Sequence, residues 1–402
     1  MIAFRAESLL TRCGILMNPL LLVEGGRVVE ISAGEERAGP VGTEIRVVDL
    51  GAGMICPGYL DLHIHGGGGY DVMGEDPGAL PAIGQLLARH GVTSYLPTTV
   101  TAPMDATLRA LERLADAVEK CKLLREKGFE EGGSRQAGRA QPLGIHLEGP
   151  FISHVQRGVH PEESLLLPTV AAFDRLWEAS RGQIRMVTLA PELEGAMELI
   201  ETLAGRRVSV ALGHSDADFS VASRAIEWGA RHCTHVFNAM RPLGHRDPGI
   251  IGAVLGDSRV SIDLIADGIH LDPAIVRLVA RVKGAEKLVL ITDCTSAAGM
   301  PDGRYMLGSI EVTLTDGRCL AGGKLAGSVL TMDAAVRNLA RFAEWEIRAA
   351  VGAATWNPAG VLGDSNKGEL KAGADADFIV LNRDGEILRT FIGGEEAGEF
   401  GA

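Results

Sequence analysis

Apolar residues follow two different rhythms along the chain. Over residues 1–55 they form short runs at 14–23, 27–31 and 44–49, separated by the turn signals Glu24-Gly25-Gly26 and Ala33-Gly34. Such spacing predicts β-strands. From Pro57 onward, apolar runs of strand length alternate with longer stretches of helical period. The strands expected are 59–64, 93–97, 143–147, 185–189, 208–213, 232–236, 260–265 and 287–292. Between them, Leu80, Ile83 and Leu87 share one helical face after Asp76-Pro77, and Leu108, Leu111, Ala115 and Val118 share another after Asp105, read as a cap. Thr169, Asp218 and Asp272-Pro273 are residues that start helices well.

Eight strands alternating with helices predict a parallel sheet, and eight is the number that closes into a (β/α)₈ barrel. The polar, Gly-rich stretch 125–141 reads as an exposed loop extension, and 299–324 as a long loop or short-strand region. Residues 333–348 and part of 349–360 are expected to be helical. The run Phe378–Leu381 would be a strand without a neighbour, so pairing with the N-terminal strands is expected. The predicted organisation is therefore a 57–361 barrel and a small β-sandwich domain shared by 1–56 and 362–402.

Composition narrows the class. The 402 residues are 46% apolar and 23% charged, ordinary for a soluble globular protein. The net charge of -13 argues against general binding of nucleic acid or anionic membranes. An anionic substrate would need local positive charge, from a metal or from arginines. The N-terminus shows no signal-peptide pattern and no run approaches the roughly 18 apolar residues of a membrane span. The six cysteines have no Cys-x-x-Cys spacing, which suits free thiols in a reducing cytoplasm.

Six groups able to hold a metal or carry protons stand at the ends of five predicted strands: His63, His65, Glu148, His214, His235 and Asp293. A barrel brings the carboxyl ends of its strands to one point. His63 and His65 lie on the same side of an extended chain because side chains alternate with period two. Alone, such a pair is as easily a solvated loop pair, but Gly66 to Gly69 follow it and let backbone pass close to something bound. Glu148 after an apolar strand would be partly buried and need partners; it is a salt-bridged or capping residue, or a metal ligand bridging two ions. His214 and His235, with Glu148 in reach, match a two-histidine, one-carboxylate set. Asp293 beside such a site could act as general base and then general acid.

Other residues are less determined. Arg246, beside His245 in the loop after the sixth strand, suits phosphate or carboxylate, or else a surface ion pair. His160 and His270 sit on loops at the same presumed face. His90 and His146 are assigned to structure, Cys294 to packing, and His154 and His232 receive no role.

Those residues lie in motifs that resemble the amidohydrolase superfamily and, within it, the N-acetylglucosamine-6-phosphate deacetylase family. The motifs are Pro57-Gly-Tyr-Leu-Asp-Leu-His-Ile-His-Gly, His146-Leu-Glu-Gly-Pro-Phe, Gly213-His214, Thr234-His-Val-Phe-Asn-Ala-Met, His245-Arg-Asp-Pro-Gly, Ile265-Ala-Asp-Gly-Ile-His, Ile291-Thr-Asp-Cys-Thr-Ser-Ala-Ala-Gly and Leu325-Ala-Gly-Ser. The resemblance implies metal-dependent hydrolysis of the acetamide of N-acetyl-D-glucosamine 6-phosphate, in amino-sugar catabolism and cell-wall recycling. It implies that Glu148, His214 and His235 hold the main metal, with His63, His65 and Asp293 completing a site for one or two divalent ions, Zn²⁺ or else Fe²⁺. Asp293 would shuttle the proton and His160 would help polarise the carbonyl. Val159, His160, Asn238, Ala239, His270 and the loop of Leu325, Ala326 and Gly327 would line the sugar site. Arg246 would bind phosphate in the neighbouring subunit of a homodimer. No lysine stands where the superfamily's carboxylated bridging lysine would be, and Glu148 takes that place. Two other readings are an amidohydrolase for another substrate, such as an N-acetylgalactosamine phosphate or a cyclic amide, and a non-catalytic barrel scaffold.

Overall fold

The computed structural model describes residues 1–34, 45–126 and 138–398. Eight parallel strands follow one another around the barrel: β1 (Tyr59–Ile64), β2 (Val92–Thr99), β3 (Ile145–Glu148), β4 (Ile184–Leu189), β5 (Ser209–Leu212), β6 (His232–Cys233), β7 (Ser261–Leu264) and β8 (Leu288–Leu290). Each pairs in parallel with the next. Every residue of β1 and β2 is buried, as expected of strands covered on both faces. The seam between β8 and β1 closes beyond the regular strands. The Asp293 N–H donates to the His63 carbonyl at 2.9 Å, the His65 N–H to the Cys294 carbonyl at 2.9 Å, and Ile64 bridges Cys294. That seam sets Asp293 beside the His63 and His65 strand end.

The expected helices follow each strand. Thr169, Asp218 and Asp272 cap theirs by accepting from the N–H groups of Ala172, Val221 and Ala274, each contact contributing about 1 kcal/mol. Asp105 is not a cap: its helix, Met104–Glu126, starts one residue earlier, and the carboxylate pairs with Arg109 one turn on. The expected helix 333–348 is two, Met332–Ala343 and Ile347–Ala353, broken where Glu344 turns left-handed at φ 58°. Most of the expected 125–141 loop, residues 127–137, lies outside the described residues.

The region 299–324 is more regular than a loop. Gly303–Leu307, Ile310–Thr315, Arg318–Ala321 and Lys324–Leu325 form a four-stranded antiparallel meander inserted between β8 and its helix. Its buried side, with Leu307 and Val312, packs with Val100 and Ala326 at the carboxyl end of the barrel.

The chain's two ends make two further sheets. One orders Arg27–Ala33, Pro19–Glu24, Ile2–Arg5 and Arg46–Asp49; the other orders Glu395–Glu396, Ile387–Ile392, Phe378–Leu381, Met54–Pro57, Ser8–Thr11 and Gly14–Met17. Phe378–Leu381 thus finds its partner in Met54–Pro57, directly before β1. The apolar run 14–23 is divided: Asn18, at φ 47°, turns the chain from the second sheet into the first. Phe4, Phe378 and Phe391 pack between the sheets, with ring centroids 4.4–5.2 Å apart. Among the described residues no helix is long and apolar enough to cross a membrane. The six cysteines are free thiols.

Candidate active site

The six strand-end groups converge. His63, His65, Glu148, His214, His235 and Asp293 are all buried at the carboxyl end of the barrel. Glu148 divides its two oxygens between two groups of imidazoles. Oε1 lies 3.2 Å from His214 Nε2 and 3.0 Å from His235 Nε2. Oε2 lies 3.4 Å from His63 Nε2 and 3.2 Å from His65 Nε2. On the second side Asp293 Oδ1 adds contacts at 3.5 and 3.2 Å to the same two nitrogens, which stand 3.1 Å apart. Three of these residues take left-handed backbone to aim inward: His214 at φ 47°, His235 at φ 26° and Asp293 at φ 51°. Each such residue costs on the order of 1 kcal/mol and persists only where its surroundings enforce it.

The surroundings also fix which ring nitrogens carry protons. His65 Nδ1 donates to the Thr98 carbonyl and His214 Nδ1 to that of Gln156, both at 3.0 Å. Their Nε2 atoms, facing the carboxylates, are left bare in the neutral ring. His160 is the opposite. The Thr101 N–H donates to its Nδ1, so a neutral His160 keeps its proton on Nε2, which lies 3.7 Å from Glu148. Burial, with His214 alongside, lowers His160 to about 3 and keeps it neutral. Gly149 makes this contact possible: at φ 69°, a Cβ there would stand 2.1 Å from the Thr101 hydroxyl.

Burial opposes the charge on Glu148, but His63, His214 and His235 outweigh it and hold the carboxyl well below its ordinary range. Burial likewise opposes Asp293, which His63 and His65 bring down to about 2. His65 is raised well above its ordinary value, and His235 to about 9, against burial and by the facing carboxylates.

This donor set fits a divalent cation. Ligands 2.0–2.1 Å from a common tetrahedral ion stand about 3.3 Å from one another, close to the separations on both sides of Glu148. Two geometric groupings support it, His63, His65 and Asp293 on one side and Glu148, His160 and His214 on the other. His63 and His235 bury Nδ1 atoms without a hydrogen-bond partner, an uncommon state for rings whose other nitrogen meets a carboxylate.

The profile of the amidohydrolase family matches residues 54–397, nearly the whole chain. The chain belongs to the amidohydrolase family. It is 39% identical over 396 residues to N-acetylgalactosamine-6-phosphate deacetylase of Escherichia coli O157:H7, covering 98% of both chains. It is 38% identical over 399 residues to N-acetylglucosamine-6-phosphate deacetylase of Bos taurus, covering 96% of this chain and 92% of that one. Among solved structures, N-acetyl-D-glucosamine-6-phosphate deacetylase from Mycobacterium smegmatis, as a point mutant in complex with N-acetyl-D-glucosamine-6-phosphate, superposes with a TM-score of 0.87 at 34% identity. That match covers 98% of this chain and 99% of that one.

In this amidohydrolase the pocket above the carboxylates is walled by Val159, Asn238, Ala239 and His270, with Leu325, Ala326 and Gly327 along the meander side. His270 is held by Asp267, which accepts from its ring at 2.7 Å and from its backbone N–H at 2.8 Å. Arg246 is exposed and does not line the pocket of its own chain. His146 is buried outside the pocket lining, bound to the Leu62 carbonyl and the Thr188 hydroxyl. His232 meets Asp263 at 2.9 Å, and His90 meets Asp333 at 3.0 Å. In the run Gly66 to Gly69, the N–H groups of Gly66, Gly68 and Gly69 donate to the carbonyls of Cys294, Ala298 and Ser296.

Two buried carboxylates beside the site, Asp61 and Asp263, were not anticipated. Asp61 accepts from the Thr292 hydroxyl at 2.5 Å and ties β1 to the end of β8. Asp263 accepts from the His235 N–H and so sets that residue's backbone. Period two could have revealed Asp61, which stands on the same face as His63 and His65.

Proposed function

We propose that this protein hydrolyses the acetamide of N-acetyl-D-glucosamine 6-phosphate to D-glucosamine 6-phosphate and acetate. The observation that carries this reading is the two-sided carboxylate of Glu148, whose oxygens meet the Nε2 atoms of His214 and His235 on one side and of His63 and His65 on the other, overlooked by the Nε2 of His160. Glu148, His214 and His235 would hold one divalent ion, and His63, His65 and Asp293 a second that shares Glu148. Zn²⁺ suits these nitrogen and oxygen donors. When bound, such an ion supplies Lewis acidity and acidifies a water.

The chain's own residues supply the rest. Neutral His160 donates from Nε2 to the acetamide oxygen as negative charge gathers there. Asp293, held ionised, takes the proton of the attacking water and passes it to the departing amine nitrogen. Asn238 and His270 orient the sugar from the walls. Arg246 would reach the phosphate in the neighbouring subunit of a homodimer. Residues 1–56 and 362–402 would form one β-sandwich domain beside a 57–361 barrel, in a cytoplasmic enzyme.

The similarity to the E. coli N-acetylgalactosamine-6-phosphate deacetylase favours one second reading, the epimeric substrate. Acetate release is to be measured from both phosphorylated epimers and from unphosphorylated N-acetylglucosamine, on enzyme whose metal has been counted. Release from N-acetylglucosamine 6-phosphate at the highest kcat/KM is expected. Faster release from the galactosamine epimer moves the assignment to that sugar, and no release from any of them by metal-loaded enzyme overturns it.

A further inference from the structure

Lys324 is the only lysine or arginine that lines the pocket among the described residues. It opens the last strand of the meander, Lys324–Leu325, after a turn made by Gly322 and Gly323, both at positive φ. Antiparallel pairing with Arg318–Ala321 places Lys324 opposite Ala321. Just beyond it, the Ala326 N–H donates to the Cys319 carbonyl at 3.0 Å, and Ala326 is buried against Val100 and Val312. The base of the strand is thus fixed, while the Lys324 side chain is exposed at the pocket edge.

Two arginines near the pocket are already paired. Arg157 pairs with Glu162 at 3.1 Å and Arg241 with Asp247 at 2.6 Å. Lys324 has no carboxylate partner among the described residues. An ammonium with three donors at the edge of a pocket, in a chain of net charge -13, is chemically suited to a small anion.

We propose that Lys324 binds the phosphate of a sugar phosphomonoester from within the same chain, a contact in addition to any that Arg246 makes across subunits. This rests on the sugar-phosphate reading of the pocket. It makes the meander, inserted between β8 and its helix, a determinant of substrate specificity.

Two measurements separate this inference from the proposed reaction. Glucose 6-phosphate carries the phosphate without the acetamide, so its affinity, measured by calorimetry on the metal-loaded enzyme, reports phosphate binding alone. Lys324→Met is expected to weaken it about tenfold, and Lys324→Arg to keep it within about threefold. In turnover, the ratio of kcat/KM for phosphorylated over unphosphorylated N-acetylglucosamine is expected to fall about tenfold in Lys324→Met, through KM. Equal glucose 6-phosphate affinity in wild type and Lys324→Met, or none in either, overturns the assignment. A wild type that hydrolyses neither sugar while its glucose 6-phosphate affinity still depends on Lys324 would refute the proposed reaction and leave this inference standing.

Discussion

The backbone N–H of Thr101 donates to Nδ1 of His160 at 3.3 Å, and the Thr101 hydroxyl lies 2.8 Å from the same nitrogen. A nitrogen that accepts a backbone N–H cannot also carry the proton, so the tautomer of His160 is set by the chain itself. His160→Gln is therefore expected to lower kcat by about 10²–10³ while changing KM and bound metal little. Steady-state kinetics on metal-counted enzyme check this, and an unchanged kcat would remove His160 from carbonyl polarisation.

Asp293 has a second, separable role to test. Asp293→Asn keeps the shape of the side chain and removes its capacity to take a proton. A fall in kcat of about 10³ or more is expected, with substrate affinity retained. Near-wild-type turnover would mean that another group moves the proton.

The sharing of Glu148 predicts metal stoichiometry. Wild-type protein dialysed against Zn²⁺ should bind two ions per chain, counted by elemental analysis. A protein carrying His63→Asn with His65→Asn should bind one, held by Glu148, His214 and His235. Glu148→Gln weakens both positions and should leave less than one. Two ions in the doubly substituted protein would contradict the division of ligands drawn from the geometry.

Arg246 is exposed and does not line its own pocket, which makes subunit mixing informative. If it serves the partner's site, Arg246→Ala and Asp293→Asn chains, each nearly inactive, should complement when refolded together. Half the dimers would be mixed and each would hold one intact site, so activity should recover to about a quarter of wild type. A recovery no greater than the average of the two variants places Arg246 in its own chain's site or in none.

The His90–Asp333 pair predicts a pH-dependent contribution to stability. Burial opposes the Asp333 charge, but His90 at 3.0 Å and Arg337 at 3.0 Å pull its carboxyl well below the ordinary range. A carboxyl depressed in the folded state stabilises the protein above the unfolded value, and loses that contribution as pH falls toward the folded one. Asp333→Asn should cost roughly 1–2 kcal/mol at pH 7 and progressively less below about pH 4. Denaturant midpoints across that range test it; a constant difference would mean the ionised form is not what matters.

Period and position made much of this legible. His63 and His65 fall on one face of a strand, and His214, His235 and Asp293 each follow an apolar run, so a barrel necessarily gathers them. Asp263 escaped because one acidic residue inside Ser261–Leu264 has no local sign of its partner; its meaning depends on His235, just past the end of the adjacent strand. Lys324 escaped for a related reason: its place over the pocket depends on the pairing of four short strands. Asn18 shows a different limit. Apolar residues run on both sides of it, and only its left-handed turn distributes them between two sheets.

The pairing of Met54–Pro57 with Phe378–Leu381 has a consequence for how the chain is made. Phe4 packs against Phe378 and Phe391, so the apolar face of its strand lacks these aromatic partners until residues 378–391 have been made. Domains generally fold as units while they are synthesised, and contacts distant in sequence form slowly. The barrel strands can therefore be made before the second sheet, which waits for Phe378–Leu381 and Ile387–Ile392. A chain that stops before Phe378 would carry all eight barrel strands but leave Met54–Pro57 without its antiparallel neighbour, an open edge of the kind that chaperones and proteases engage.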